Sequence, residues 1–369
     1  MTFLIVINAI LSLFLLITLI NWLTGPFLKK SFPLQTQPLV SILIPARNEE
    51  RNIENCIISF LKQDYPNFEI IILDDQSSDN TAGIIKRLAA DYPKVRFVEG
   101  KPLPAEWIGK NWACHQLSEM AKGEIYIFSD ADNRYAENAV TLTIARMQRY
   151  NLDMLSAFPQ QFTRTFIEKL VVPVVDMFIY SSLVLWLVYH SRFSSLAAAN
   201  GQWIAFQAES YKKLGGHAAV RQKIVEDVEM SRLAKRKGMK IMTCAGTQII
   251  TCRMYQSANE VWQGYSKNLF GLLSARKIPF FGIIFGFLLI FISPYFLLFS
   301  KVFFPLALFA VIQNILLRAI LALGFKHPLF TSTLFHPFSI ILIIIIALDS
   351  FYRSTLGTHR WKDRTIKLN

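Results

Sequence analysis

Apolar residues gather at the two ends of this chain, and between them short apolar runs alternate with polar stretches. The run from Phe3 to Leu23 carries no charge and has the length, about 20 residues, that a helix needs to cross the hydrocarbon core of a bilayer. A secretory signal would start with positive charge and end in a small-residue cleavage site. This run has neither, and it leaves through Asn21, Trp22 and Pro26, so it reads as a retained anchor. Lys29 and Lys30 follow at once, which puts the next segment on the cytoplasmic side. A second apolar region, Ile278 to Phe325, is divided by Ser300-Lys301 into two crossings, and a third run spans Leu334 to Phe351. Arg318 and Asp349 inside these runs need an interface or a partner group. One crossing before the central block and three after it leave the tail outside, although Arg353, Arg360, Lys362, Arg364 and Lys367 favour the inside. Val171 to Tyr189 is apolar but contains Asp176, Ser181 and Ser182, and reads as an amphipathic helix on the membrane surface.

The central pattern predicts strands followed by helices. Leu39 to Ile44 is a strand, Ile53 to Gln63 a helix, Glu69 to Leu73 a strand, and Thr81 to Asp91 a helix with apolar Ile84, Ile85, Leu88 and Ala89. Val95 to Val98 and Glu124 to Phe128 supply two more strands. Such alternation implies an α/β domain with a mostly parallel sheet, whose ligands sit beyond the carboxyl ends of the strands.

Composition gives this division its scale. Of 369 residues, 53% are hydrophobic and 18% charged, too apolar for an ordinary soluble globule and too charged for membrane helices alone. Residues 29–277 carry 31 basic and 24 acidic residues, +7 of the net +13, so they can form a solvated folded domain. The expected organisation is an N-terminal anchor over 1–28, a cytoplasmic domain over 29–277 with an interfacial helix near 171–189, a transmembrane region over 278–352 and a basic tail over 353–369. Cys56, Cys114, Cys244 and Cys252 have no C-x-x-C spacing and read as packing residues of a reduced compartment, and His115 beside Cys114 lacks the spaced partners of a zinc site. The densest basic run, Lys235-Arg236-Lys237, belongs to a solvated or headgroup-facing helix and not to a nucleic-acid binder.

No Gly-x-Gly-x-x-Gly follows the first strand and no Gly-Lys-Ser/Thr loop occurs, so any nucleotide phosphates here need a metal. Three acidic motifs stand where that metal and its substrate would sit. Asp130-Ala131-Asp132 ends a strand, and alternate carboxylates there can reach one Mg²⁺ or Mn²⁺ completed by phosphate oxygens; a turn stabilised by Asp side chains uses the same residues. The loop Asp74-Asp75-Gln76-Ser77-Ser78-Asp79 ends another strand, with Asp75 available to a base and Asp79 or Asn80 to cap the next helix. Glu226-Asp227, after Gly215-Gly216, opens a helix through Met230, Leu233 and Ala234, where a carboxylate suits the helix dipole and can also take the proton of an attacking hydroxyl.

In this order the motifs resemble the inverting family 2 glycosyltransferases of the GT-A fold. The resemblance covers residues 38 to 275 and rests on Ser41-Ile42-Leu43-Ile44-Pro45-Ala46-Arg47-Asn48-Glu49-Glu50 together with the acidic motifs and Gly215-Gly216. It implies that Pro45, Ala46, Arg47, Glu49 and Asp75 line the base and ribose of a nucleotide sugar, usually uridine-linked. It also implies that Asp130 approaches ribose and metal, that Asp132 ligates the metal, and that Asp227 is the general base. A finer resemblance, to membrane-bound glycosyltransferases of carotenoid and hopanoid pathways of the diaponeurosporenoate type, rests on Gly109-Lys110-Asn111-Trp112-Ala113-Cys114, on Arg253-Met254-Tyr255-Gln256 with Trp262, Gly264 and Lys267, and on Trp361-Lys362-Asp363-Arg364. Lys110 then suits the diphosphate if Gly109 begins a helix, and Glu226, Gly215, Gly216, Arg253 and Trp262 are candidates for the acceptor side or for support.

The region after Glu226-Asp227 lacks the Gln-x-x-Arg-Trp of processive polysaccharide synthases, and few crossings follow it, so single transfer to a lipid is favoured. A carboxylic acid is already ionised near neutrality, whereas a hydroxyl needs a base; Asp227 therefore points to a hydroxyl acceptor and a glycoside product. The expected setting is the cell membrane, multi-pass, with the catalytic domain cytoplasmic. The competing classes are a processive polysaccharide synthase, a sugar-phosphate or nucleotidyl transferase and an inactive membrane scaffold.

Overall fold

The computed structural model describes residues 1–273 and 276–356, and the backbone of 360–361 and 364–365. Of the motifs read from the sequence, Lys362, Asp363 and Lys367 lie outside the described residues. The strands are β1 (Val40–Ala46), β2 (Phe68–Asp74), β3 (Val95–Glu99), β4 (Ile125–Ser129), β5 (Asn133–Tyr135), β6 (Met154–Phe158), β7 (Gln160–Gln161), β8 (Trp203–Gln207), β9 (Ile241–Ala245) and β10 (Ile250–Cys252). The chain forms two compact units, one of residues 26–160 and 185–253, the other of residues 1–25, 161–184 and 254–369.

The first unit is built on a seven-stranded sheet in the order β3-β2-β1-β4-β8-β6-β9. β1 runs parallel to β2 and β4, β2 to β3, and β6 to β9, while β8 is antiparallel to both neighbours. β1, β2, β4 and β9 are buried along nearly their whole length, which is why they read as continuous apolar runs and not as alternation. Helices cover both faces through regular apolar stripes: Ile53–Leu61 buries Ile53, Cys56, Ile57 and Phe60. Chain order reverses between β1 and β4, with β2 on one side of β1 and β4 on the other, so a crevice opens there at their carboxyl ends.

The expected four strands are present within two residues of their predicted ends. β8 was not foreseen, because antiparallel insertion into a parallel sheet leaves no periodic mark on five residues. At the opposite end of the sheet a polar cluster sets the β1–β4 register. Ser41 Oγ donates to Glu69 Oε1 at 2.6 Å and accepts from Gly123 N–H at 2.8 Å, and Glu69 also accepts from Lys122 N–H at 2.9 Å.

The second unit is helical. Thr2–Thr24, Lys277–Leu297, Phe304–Phe325 and His336–Leu356 are the four helices among the described residues that are long and apolar enough to cross a membrane. Thr2–Thr24 packs on Phe304–Phe325, and Ala258–Leu273 on His336–Leu356. The two charges that needed partners have them. Arg318 donates to the carbonyls of Ser332 (3.0 Å) and Pro173 (3.1 Å), while Asp349 accepts from Trp262 Nε1 (2.8 Å), Ser266 Oγ (2.5 Å) and Arg353 Nε (2.8 Å). The stretch read as one surface helix from 171 to 189 is two helices, Phe166–Ser182 in this unit and Leu185–His190, which packs on β9 in the other. Asp176, the residue that suggested a surface position, is buried and lies 3.1 Å from His327 Nε2. Both units therefore cut across the 29–277 block: 161–184 and 254–277 group with the apolar helices.

A Cβ on Gly123 would sit 2.6 Å from Ser41 N and 2.8 Å from Leu39 O, both backbone atoms that cannot swing away. Gly123→Ala is expected to destabilise the fold by about 1–3 kcal/mol. Gly271→Ala, which meets nothing within 4 Å on a helix, should be neutral or slightly stabilising. Thermal unfolding in detergent micelles compares the two.

Candidate active site

Four elements of the sheet unit border the crevice beyond β1 and β4, and three of them deliver charge to it. β1 ends in Pro45-Ala46, and β4 is followed directly by Asp130. The helix Gly109–Met120 places Lys110 in its first turn, and the helix Glu226–Arg236 opens on Glu226 and Asp227. Lys110 Nζ lies 2.8 Å from Asp130 Oδ1 and 3.2 Å from Glu226 Oε1. Burial would lower the proton affinity of Lys110, but the two carboxylates outweigh it and hold the ammonium charged well above its ordinary range. A small pocket follows, lined by Pro45, Lys110, Asp130, Gly201, His217 and Glu226 among others.

Asp227 is fixed by backbone donors. Its Oδ2 accepts from Gly201 N–H at 2.7 Å and its Oδ1 from Val228 N–H at 2.8 Å. Burial, then the neighbouring Glu226 charge, raise its pKa to about 7 against the opposing pull of Lys110 and of those N–H groups. A carboxylate whose proton affinity approaches neutrality is matched to accepting and releasing a proton there.

The β1 and β2 loops are laced together. Asp75 is buried, with its N–H donating to Ala46 O at 2.7 Å, and Arg47 Nη1 donates to the carbonyls of Asp75 (2.5 Å) and Gln76 (2.9 Å). Asn48 and Gln76 both adopt left-handed backbone, φ 52° and 57°. Asn48 Oδ1 accepts from Ser78 N–H at 2.8 Å, and Ser77 Oγ accepts from Asn48 N–H at 3.0 Å. Glu49 Oε2 accepts from Asn52 Nδ2 at 3.0 Å. Asp79 takes the capping role, accepting from Thr81 N–H at 3.0 Å.

Asp132 lies just before β5, two residues from Asp130. No cluster of three or more His, Cys, Asp or Glu arranged for a metal occurs among the described residues. The donor set present, two carboxylates of one loop, fits a hard cation that completes its shell with phosphate oxygens and not one caged by protein alone. Cys114 also faces the pocket, but burial pushes its thiol up and keeps it protonated, so it is no nucleophile.

Of the residues anticipated from sequence, Pro45, Lys110, Asp130 and Glu226 line one pocket, and Asp227 is bonded to Gly201, which lines it too. Arg253 follows β10 in the same unit, whereas Trp262 belongs to the helical unit, where it supports Asp349. Gly215 (φ 94°) ends the helix Ala208–Leu214 in left-handed backbone, and Gly216 (φ 52°) continues it. Three contributors were missed. Asn111 Nδ2 donates to the carbonyls of Val220 and Lys223 at 3.0 Å, tying the Lys110 helix to the segment leading into Glu226. Gly201 and His217 stand in the pocket itself. An Asn-Gly pair before an apolar strand hinted at Gly201; nothing local marked His217.

The parallel sheet with β8 antiparallel and the acidic crevice at the β1/β4 reversal define a nucleotide-diphospho-sugar transferase fold. In keeping with this, a mannosyltransferase from Pyrobaculum calidifontis, solved with GDP-Man and Mn²⁺, superposes over 95% of this chain and 98% of its own with a TM-score of 0.56 at 18% identity, and carries the GT-A fold over to it. Residues 41–169 match the family described as Glycosyl transferase family 2. Among curated proteins, the 4,4'-diaponeurosporenoate glycosyltransferase of Staphylococcus haemolyticus is 28% identical over 64% of this chain and 62% of its own length. The protein of that name from Staphylococcus aureus strain USA300 is 27% identical over 62% and 60%. The match thus spans less than two thirds of these relatives.

A Cβ at Gly201 would meet Lys110 Nζ at 3.0 Å, Glu226 Oε1 at 3.1 Å and Asp227 Oδ2 at 3.4 Å. All three are side-chain tips that can yield by a few tenths of an ångström. Gly201→Ala is therefore expected to leave the thermal midpoint nearly unchanged yet lower turnover about tenfold or more, since reacting groups tolerate little misplacement. An equal loss of stability and turnover would show that the glycine serves folding alone.

Proposed function

We propose that the chain is a membrane-bound inverting glycosyltransferase that moves one sugar from a nucleotide sugar, UDP-linked, to a hydroxyl of a lipid of carotenoid, hopanoid or glycerolipid type. The observation that carries the reading is the convergence of Asp130, Lys110 and Glu226 on one pocket beside an Asp227 of raised proton affinity. Pro45, Ala46, Arg47, Glu49 and Asp75 hold base and ribose, and Lys110 meets the diphosphate. The four apolar helices support a lipid acceptor, because such an acceptor is concentrated in the bilayer.

In the reaction the acceptor oxygen attacks the anomeric carbon on the face opposite the leaving group. The new C–O bond forms as the bond to the β-phosphate oxygen breaks, and the nucleoside diphosphate departs with that electron pair. Asp227 takes the hydroxyl proton. Lys110 is placed to offset the growing charge on the leaving group, a contribution present only as that charge develops. Asp130 and Asp132 would hold Mg²⁺ or Mn²⁺, which when bound neutralises diphosphate charge.

The names of the staphylococcal relatives contain the word diaponeurosporenoate, which has the suffix of a carboxylate, and this favours a second reading in which the acceptor is an acid and the product an ester. An ionised acid needs no base, so the two readings part at Asp227. Membranes containing the protein, supplied in turn with UDP-sugars and with GDP-mannose together with extracted lipids, are expected to yield from a UDP-sugar a lipid glycoside that survives mild alkali, with release of UDP. An alkali-labile product supports the ester, and soluble glycan elongation or pyrophosphate release defeats both readings.

Asp227→Asn should lower transfer by about 10²–10⁴-fold while UDP binding stays within twofold by calorimetry. The raised pKa adds a pH signature with a definite sign. The base must be unprotonated, so kcat/KM for the donor falls as the pH drops through about 7, well above the range of an ordinary carboxyl. A profile flat down to pH 5 would remove Asp227 from the role.

A further inference from the structure

His217 is used by none of the steps above, yet it is 4% exposed and lines the pocket with Lys110, Asp130 and Glu226. Its surroundings define it closely. Nδ1 lies 2.7 Å from the Tyr211 hydroxyl, and the His217 backbone N–H donates to that same oxygen at 3.1 Å. The Phe128 ring meets the imidazole edge-on, with centroids 4.7 Å apart and planes at 62°. Gly216 makes this possible: with φ at 52°, a Cβ there would stand 2.7 Å from the Tyr211 ring. The glycine pair thus lets tyrosine and histidine close on each other.

The Tyr211 oxygen accepts the main-chain N–H, and its own proton can be given to Nδ1. A neutral imidazole that accepts at Nδ1 carries its proton on Nε2. We propose that His217 binds the transferred sugar of the donor, giving an Nε2–H hydrogen bond to a sugar hydroxyl in the tautomer that Tyr211 sets. Tyr211 is then a positioning residue.

The assignment to the sugar, and not to the diphosphate, rests on charge. Burial, followed by the nearby Lys110 and His115, lowers the pKa of His217 to about 3 and keeps the ring neutral. A neutral donor suits a hydroxyl, while the phosphate oxygens have the Lys110 ammonium. A buried donor with a fixed tautomer also discriminates, because a sugar without the matching hydroxyl leaves it unpaired.

This inference depends on the nucleotide-sugar reading, and the test separates the two. Calorimetry on the full chain in detergent micelles compares UDP with UDP-glucose, UDP-galactose and UDP-N-acetylglucosamine for wild type, His217→Ala, His217→Gln and Tyr211→Phe. For the sugar nucleotide the wild type binds best, His217→Ala and Tyr211→Phe are expected to weaken binding about tenfold, with UDP unchanged within twofold. His217→Gln, which restores an N–H donor, should recover most of the loss. Tyr211→Phe keeps the ring packing and carries the test if His217→Ala folds poorly. Equal weakening for UDP and UDP-sugar, or none for either, overturns the proposal. A wild type that binds none of the four ligands overturns the UDP-linked reading of the donor, and the His217 proposal falls with it.

Discussion

The ammonium of Lys110 is the contact on which the arrangement of the site depends. It lies between Asp130, which continues β4, and Glu226, which opens a helix nearly a hundred residues later in the chain. Remove its charge and Asp130 and Glu226 share one pocket, with Asp227 bonded to its Gly201 wall, and the three lose the cation between them. In an environment partly screened from water, like charges at such range disfavour ionisation strongly. Lys110 is in turn placed by hydrogen bonds that cost the site no charge. Asn111, beside it, grips the carbonyls of Val220 and Lys223, and the Ile108 N–H donates to Arg221 O at 3.0 Å. The helix bearing the cation and the segment leading to the carboxylates are thereby held as one piece.

The two ends of the crevice are built differently. At the β1/β2 end the loops are fixed chiefly through backbone groups: Arg47 spans two carbonyls, and Asn48 and Gln76 sit in left-handed conformations that few residues adopt readily. Strain of this kind persists only where surrounding bonds over-determine it, as the Asn48 contacts to Ser77 and Ser78 do here. At the Asp227 end, side-chain charge sets the properties, and small changes in spacing alter proton affinity. Gly201 stands at the junction, its missing side chain leaving room for Lys110, Glu226 and Asp227 together.

Much of this was legible in the sequence where the signal is local. Apolar runs identified the parallel strands β1 to β4, though not the buried parallel pair β6 and β9, and carboxylates at the ends of the identified strands marked the ligand side of the sheet, because strand direction fixes where such residues emerge. The groups that were missed act through distant contacts. β8 is antiparallel because its neighbours β4 and β6 leave a slot of that sense, and five residues cannot record it. His217 takes its place through a Tyr211 contact that needs the left-handed Gly216, and Gly201 owes its importance to three side chains on two other elements. The Val171 to Tyr189 stretch misled for a related reason: Asp176 looks like a solvent-seeking charge until His327, 151 residues on, is found beside it.

That last case bears on how charge should be read in the helical unit generally. Asp349 would be costly in hydrocarbon as a lone carboxylate, yet it collects an indole N–H, a hydroxyl and a guanidinium N–H from within its own unit. Arg318 spends its donors on two carbonyls, one of them that of Pro173, inside a helix whose proline already removes a backbone N–H from the ladder. Asn21 does the same for Tyr180 and Leu183 at the end of that helix. The polar residues within the apolar runs thus join helices together, so a count of charges in those runs measures internal bonding and not exposure. The net charge of +13 is similarly uninformative about the site. The reacting end of the site depends on Lys110 and on Asp130, Asp132, Glu226 and Asp227, and its behaviour follows from their placement.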